Sequence, residues 1–567
     1  MNNALFQTVP LPKVPRNVFD LSRKNKLSLG SQRLYPTAII ETLPGDRHLL
    51  SAETFVRAQP MLCPVYQDYN ISHHAFFVPM RTLSKNWEQF ITGGKDGTYT
   101  SVMPYVTYAA LYRFVQDCFA CVGDLEWSIS EVVAMIRMFD YIGLSFRYES
   151  KTTDNLIVGA WLSNNSAYAS CNVPVNLLPF LACVKVWSEY YRDENLVDDP
   201  LEVIETALGL STAVGLQVVP TYSIDDSEWD DEVAALAFIE LFKMRPRAWK
   251  KDRFTSALPF SQRGPDVLLP IAGVAPVTPS LKPNSAYGNI IAYEDALSKP
   301  QVGVDDGDTV TKLSKIGDVD FADAELSTTI NDFRRAERLQ RWYENSARGG
   351  SRLNENTLAH WGVHTPDATL QRAQFLGGQY QPLTISDVPQ TSESGTTPQG
   401  TLAGKGTSYA SNRLFKHYDS EHGYIIVFTS ILMHADYYQG TPRIFTRQDR
   451  FEYAWPEFAN LGEEPIENQE LYTLASDPIG PFGYTPRYSD YKSAVNETHG
   501  DFRGSLRSWA LPRTFANQPQ LNEEFIYGSP SKENFAVTSD SSDEFLMYIN
   551  FHLKSSRLLP FYGVPTL

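Results

Sequence analysis

Two hydrophobic periods divide this chain. Alternation of apolar and polar positions in Tyr35–Glu41 and the runs Met61–Val65 and His73–Val78 predict three to five strands between Leu27 and Met80, with a turn at Leu43–Asp46. Strand-like runs return at Tyr424–His434, Phe445–Tyr453 and Phe545–Leu553. Between these blocks the period lengthens. Tyr105–Cys121, Ser130–Tyr141 and Leu177–Leu196 read as helices, the second capped by Ser130-Glu131 and the third aligning Phe180, Val184, Trp187 and Tyr191 on one face. The longest helical pattern starts near Thr329, where Asp332 three residues on makes a capping-box-like start. Ile330, Phe333, Ala336, Leu339, Tyr343 and Ala347 form its apolar stripe, predicted to pack on the body, and Gly349-Gly350 stops it. Strands at both ends of the chain with helices between predict one mainly β domain over residues 1–567, a β-sandwich carrying large loop and helical insertions.

The remaining stretches predict loops. Residues 1–26 are punctuated by proline and read as an extended arm. Residues 197–240 are dominated by acids, with DDSEWDDE at 225–232, and read as a solvated insertion. Residues 266–324 show no sustained period and read as a projecting excursion, and 384–411, rich in Ser, Thr and Gly, as a flexible surface loop.

Composition narrows the function. Among 567 residues the formal charge is -17, which excludes a chain basic throughout of the kind that binds nucleic acid with its whole surface. Cations instead gather in three islands: Arg16–Lys26 with Arg23, Lys24 and Lys26; Lys243–Arg253 with Lys250 and Lys251; and Arg334–Arg352 with Arg334, Arg338, Arg341, Arg348 and Arg352. Trp249, Trp342 and Tyr343 are interleaved with the last two, so each island suits either a subunit contact or a phosphate backbone. The first residues lack the apolar core of a secretory signal, and the longest apolar run, Tyr424–Met433, is about half of the ~20 residues a membrane span requires. Five cysteines, odd in number and sparse, predict buried thiols and no disulfide framework.

Motifs for chemistry fail on spacing. Gly400–Thr407 (GTLAGKGT) lacks the Ser or Thr that must follow a phosphate-loop lysine. Cys118 and Cys121 have metal-pair spacing but no second pair, and His73-His74 point to opposite faces of a strand. Asp305, Asp306 and Asp308 lack the terminal glutamate of a calcium loop, and no nucleophile elbow, HExxH or dinucleotide fingerprint occurs. No catalytic, metal or cofactor residues are assigned. Aromatic richness and many carboxylates keep one alternative open, a β-sandwich carbohydrate-active enzyme or carbohydrate-binding module.

Seven ordered blocks then carry a family likeness. INDFRRAERLQRWYENSARGGSR followed by HWGVHTPDATLQRAQFLGG resembles a block of the major capsid proteins of microviruses, tailless ssDNA phages, particularly their gokushovirus-like branch. VPRNVFDLSRKNKLS, VYQDYNISHHAFFVPMRTLSKNWEQFITGG, LLPFLACVKVWSEYYRDENL, KDRFTSALPFSQRG, EHGYIIVFTSILMHADYYQG and PRYSDYKSAVNETHGDFRGSLRSWAL continue it in family order. The resemblance implies an eight-stranded viral jelly roll with large insertions. It implies pentamers, and sixty copies closing a T=1 icosahedral shell around circular ssDNA. It further implies a virion location without a membrane, assembly in the host bacterial cytoplasm and attachment to a host receptor. Contacts with a spike or pilot protein or a small DNA-binding protein follow as well. By position, 266–324 would form the projection at the three-fold axis.

Overall fold

The computed structural model describes residues 15–100, 102–120, 128–148, 153–208, 230–267, 330–392, 399–528, 530–536 and 543–562, with short strands between 277 and 319. In chain order the main elements are β1 (Asn17–Asp20), β2 (Arg23–Leu29), β3 (Tyr35–Thr42), β4 (Arg47–Ala58) and β5 (Tyr69–Pro79). Helices α1 (Tyr108–Ala120), α2 (Ile129–Ile142), α3 (Asp154–Asn165), α4 (Leu178–Tyr190), α5 (Pro200–Leu208) and α6 (Asp230–Phe242) follow. Next come β6 (Asn289–Glu294), β7 (Pro300–Asp305), β8 (Val310–Lys312), α7 (Ile330–Gly349) and α8 (Leu353–Trp361). The chain returns to strands in β9 (Gln374–Pro382), β10 (Thr384–Pro389), β11 (Leu402–Tyr418), β12 (Gly423–Met433) and β13 (Phe545–Arg557).

Two antiparallel sheets dominate, so the protein is mainly β with added helices. The first runs β1-β13-β4-β11-β10, with β2 also pairing β13; the second runs β9-β5-β12-β3. Their inward faces share one core, as in a β-sandwich: Tyr69 of β5 meets Phe545 of β13 edge to face at 5.3 Å. The strand patterns say which faces are covered. In β4 every second residue from His48 to Ala58 is buried while Arg47, Leu49, Phe55 and Arg57 are exposed, so the first sheet covers one face only. In β12 all eleven residues are buried, because α4 closes its second face. Phe76 of β5 packs on Tyr190 at 4.8 Å, and Tyr191 reaches Phe428 of β12 at 6.5 Å. Each buried Ile, Val or Phe there contributes about 1.5–3 kcal/mol, which explains why this run is so apolar.

The structure corrects several sequence expectations. The predicted strands at Met61–Val65 and Phe445–Tyr453 are turns and 3-10 turns, and the cap of α2 is Ser128, whose N–H donates to Glu131 Oε2 at 3.2 Å. Residues 17–20 and 23–26 of the expected arm are in strands β1 and β2, paired with β13. The expected flexible loop 384–411 is largely the β10–β11 hairpin, because its Thr, Tyr and small residues alternate across a pleat. The acidic stretch 197–240 is not wholly solvated. Its described ends are α5 and α6, and Ile204, Phe238 and Ile239 are buried, with Phe114 meeting Phe238 at 5.5 Å. Residues 209–229 lie outside the described residues.

Residues 262–348 form a second compact unit. It holds the antiparallel sheet β6-β7-β8, the strand pair Val277–Thr278 with Asp318–Val319, and α7. The 266–324 excursion thus carries strands that its mixed composition did not announce. Within the unit, Tyr343 lies so close to Gly264 that a Cβ there would stand 2.6 Å from its ring.

One glycine joins the two sheets by a close approach. Gly377 sits at the bulge of β9 with φ +150°, and a Cβ would stand 2.5 Å from the Leu414 carbonyl of β11. Gly377→Ala is expected to lose about 2–4 kcal/mol, combining backbone strain with overpacking; a urea midpoint unchanged from the parent would disprove this.

Candidate assembly and genome-facing surfaces

Helix α7 departs most from its sequence reading. The stripe predicted to be buried is largely open: Ile330 is 73% exposed, Phe333 and Leu339 are also exposed, Ala336 and Tyr343 are half-buried, and only Ala347 is fully covered. Arg334, Arg338, Arg341 and Arg348 are exposed as well. The periodicity was a sound guide to the helix and to an amphipathic surface, but most of that surface is exposed. Thr329 lies outside the described residues, and Gly350 at φ +96° closes the helix as its double glycine predicts.

The other islands divide between inside and outside. Arg352 is held within the subunit: its Nη2 donates to the carbonyls of Ser188 at 2.9 Å and Arg192 at 3.1 Å, and Nη1 pairs with Glu355 at 3.1 Å. It supplies donors where α4 ends in orphan carbonyls. Arg245 pairs with Glu240 at 2.5 Å and lies over Trp187 at 5.0 Å, and Arg253 pairs with buried Glu470. Lys250 and Lys251 are exposed, Lys250 Nζ 3.4 Å from His434 Nε2. Strand pairing separates the N-terminal trio. Lys24 and Lys26 oppose Asn550 and Tyr548 on the outer face of the first sheet, while Arg23 is on the other face and donates to Ile39 O at 3.3 Å.

Sequence reading missed two surfaces. Ile444, Phe445, Phe451, Tyr453 and Trp455 are exposed together on one loop, Phe445 at 77%. The loop is held in shape. Glu452 accepts from the N–H groups of Gln448 at 2.5 Å and Asp449 at 3.3 Å, which keeps its carboxyl below the ordinary range, and Arg447 pairs with Asp490 and stacks on Tyr491 at 4.5 Å. A run of apolar residues suggested a strand there; its many turns instead turn the side chains outward. The second missed surface, the outer face of the first sheet, gathers residues from both ends of the chain.

Buried polar groups are built into the core. His73 bonds Thr54 Oγ1 at 3.1 Å and Thr429 Oγ1 at 2.8 Å, and burial pushes its pKa down to about 3. His74, on the opposite face as predicted, bonds the hydroxyls of Tyr191 at 2.7 Å and Tyr380 at 2.8 Å; burial, aided by Arg247, lowers it to about 4. A string with the elements of a nucleophile relay exists: Ser555 Oγ is 2.7 Å from His48 Nδ1, and His48 Nε2 is 3.2 Å from Asp419 Oδ2. All three residues are buried, so the hydroxyl is closed off from a substrate and the string ties β4 and β13 to the turn after β11. Cys63, Cys118, Cys171 and Cys183 are free thiols, and Cys121 lies outside the described residues. Among the described residues no group of three or more His, Cys, Asp or Glu is placed to hold a metal, and no helix is long and apolar enough to cross a membrane.

Comparison with known proteins places this geometry. The family model described as Capsid protein (F protein) matches residues 7–123 and 165–567, and the chain belongs to that family. It is 30% identical to capsid protein VP1 of Chlamydia phage 1, covering 99% of this chain and 97% of that protein. It is 29% identical to capsid protein VP1 of Bdellovibrio phage phiMH2K, over 100% and 98% of the two chains. With capsid protein VP1 of Spiroplasma virus 4 it shares 27% identity over 98% and 96%.

Proposed function

We propose that this chain is the major capsid protein of a gokushovirus-like microvirus, acting mechanically and without catalysis. Its two sheets form the eight-stranded jelly roll of the family, and sixty copies, by way of pentamers, close a T=1 shell around circular ssDNA. The observation that carries this reading, beside family membership, is apolar surface that a lone subunit leaves in water: the Ile444–Trp455 loop and the stripe of α7. Contiguous exposed aromatics mark surfaces that a partner covers, and a closed shell requires several different contacts per subunit. Because Glu452 and Arg447 fix the loop beforehand, little ordering cost remains at association. Exposed Arg334, Arg338, Arg341 and Arg348 then lie at a subunit boundary or on the lumen. The 266–324 excursion supplies the surface projection, and spike or small DNA-binding proteins and a host receptor complete the contacts.

The test is assembly. Full-length chain, expressed with its companion virion proteins, is expected to give uniform shells by negative-stain microscopy. Phe445→Glu with Trp455→Glu should abolish shells while moving the subunit's melting temperature by no more than about 2 °C, since exposed substitutions stay within ~0.5 kcal/mol. A parent chain that remains monomeric at every concentration, or a double variant that still forms shells, would count against the reading.

A further inference from the structure

The outer face of the first sheet is the strongest unexplained surface. Antiparallel register places its residues in rows. Lys26 of β2, Tyr548 of β13, Phe55 of β4 and Tyr409 of β11 stand side by side. Lys554, Leu49 and Lys416 make a parallel row farther along, and Arg47 with Tyr418 closes the set. Arg57, two positions from Phe55, and Arg413, opposite Ser51, share this face. Lys24, Lys26, Arg57, Arg413, Lys416 and Lys554 are all exposed, as are Tyr409 and Tyr418. Cations flank rings directly: Arg47 lies 5.8 Å from the Tyr418 centroid and Arg57 5.9 Å from that of Phe55.

Two carboxylates share the face. Glu53 is occupied by Asn550 Nδ2 at 3.0 Å and lies 3.3 Å from His552 Nε2; Asp20 accepts from Ser22 Oγ at 2.5 Å. In a chain of net charge -17, so many cations on one flat surface run against the composition. The opposite face of the same strands packs toward the core, so among the described residues these side chains point away from it.

We propose that this face is a platform for single-stranded nucleic acid, with the lysines and arginines tracking the phosphates and Tyr409, Tyr418 and Phe55 stacking on unpaired bases. A positive surface with interleaved aromatic faces is what sequence-tolerant single-strand binding requires. A duplex hides its base faces and would leave the rings unused. Apolar pairing with a second copy is disfavoured by charge, since the same cations would meet one another. The proposal rests on the capsid reading and deepens it by naming where the genome lies.

The experiment uses unassembled full-length chain and fluorescein-labelled oligo(dT) of about thirty nucleotides, read by fluorescence anisotropy over a range of salt. Lys24→Gln with Lys26→Gln and Lys554→Gln is expected to flatten the plot of log affinity against log salt by about 2, at ~0.7 per lost phosphate contact. Tyr409→Ala should weaken binding about tenfold without changing that slope. Lys85→Gln with Lys95→Gln and Lys492→Gln, the same charge change on other exposed positions, should bind as the parent does. The proposal falls if the parent does not bind oligo(dT), if the first triple variant keeps parental affinity and slope, or if a duplex of equal length competes as well as the single strand. Shells that still form by negative stain while binding is unchanged in the triple variant overturn this proposal alone. A triple variant that loses shells but keeps full oligonucleotide affinity makes the face a contact between copies, which also overturns it. A parent that binds oligo(dT) in the predicted residue-dependent way yet forms no shell supports the platform and counts against the assembly reading.

Discussion

Replacing Arg137 with methionine is expected to lower the stability of the chain by about 3–5 kcal/mol, the largest single-residue loss outside the apolar core. Arg137 on α2 is buried and pairs with Asp543, which leads into β13. Its guanidinium also reaches the Tyr35 hydroxyl at 3.4 Å and lies over the rings of Tyr35 and Tyr148 at 5.8 and 5.9 Å. Asp543 in turn accepts from Ser28 Oγ of β2 at 2.5 Å, so one ion pair joins a helix to two strands from opposite ends of the chain. The loss arises because removing the cation leaves a largely buried carboxylate without its charge partner. Arg137→Met with Asp543→Leu should therefore recover most of it, since an apolar pair of similar volume is often no worse than the ion pair. Urea midpoints decide the matter. A single variant losing less than about 1 kcal/mol, or a double variant no better than the single, would show that the pair is not what holds this junction.

Acid should weaken the fold well above the range where carboxylates protonate. His73 and His74 are neutral in the folded chain, with pKa values lowered by burial to about 3 and about 4, against ~6.5 when unfolded. Between those limits the unfolded chain binds more protons than the folded one, so stability rises with pH there and falls on acidification. The effect starts near pH 6.5, continues to about pH 4 for His74 and to about pH 3 for His73, and is absent above pH 7. At ~1.4 kcal/mol per unit for each site, the loss by pH 4 is on the order of 3 kcal/mol per histidine. His73→Gln with His74→Gln, compared with the parent by melting temperature from pH 7 to 4.5, should show a much flatter decline. Parallel curves for the two proteins would remove the histidines from the account. The expected sensitivity follows from position: His73 faces Thr54 of the first sheet and His74 faces the tyrosines behind the second, so neither imidazolium could be solvated without parting two layers.

Much of this was legible in the chain. The strands Tyr35–Thr42, Tyr69–Pro79, Gly423–Met433 and Phe545–Arg557 and the helices Ile129–Ile142, Leu178–Tyr190 and Ile330–Gly349 stand where periodicity placed them, within a few residues. Local physics suffices for these because side-chain spacing and end residues act within one element. The 384–411 hairpin escaped because glycine and threonine are read as loop formers, yet Gly406 is needed small, where a Cβ would stand 2.8 Å from Ala58 Cβ. The stretch Phe445–Tyr453 was misread for the opposite reason. Apolar residues were taken as evidence of burial, whereas in a subunit built for contact they remain on the surface.

The surfaces divide along the same line. By itself the sequence determined the mainly β class, the amphipathic character of the helix at 330–349, the absence of recognisable catalytic motifs and, through ordered blocks, the family. Each is written in neighbouring residues, where an interaction ranges over at most a few turns or one strand. Only the tertiary structure decided which cations face outward. It turned Arg352 into the helix α4 terminus, split Arg23 from Lys24, and set Lys26 beside Tyr548, Phe55 and Tyr409, residues separated by hundreds of positions. Strand register carries that information, and register is fixed by which face of each strand the core demands.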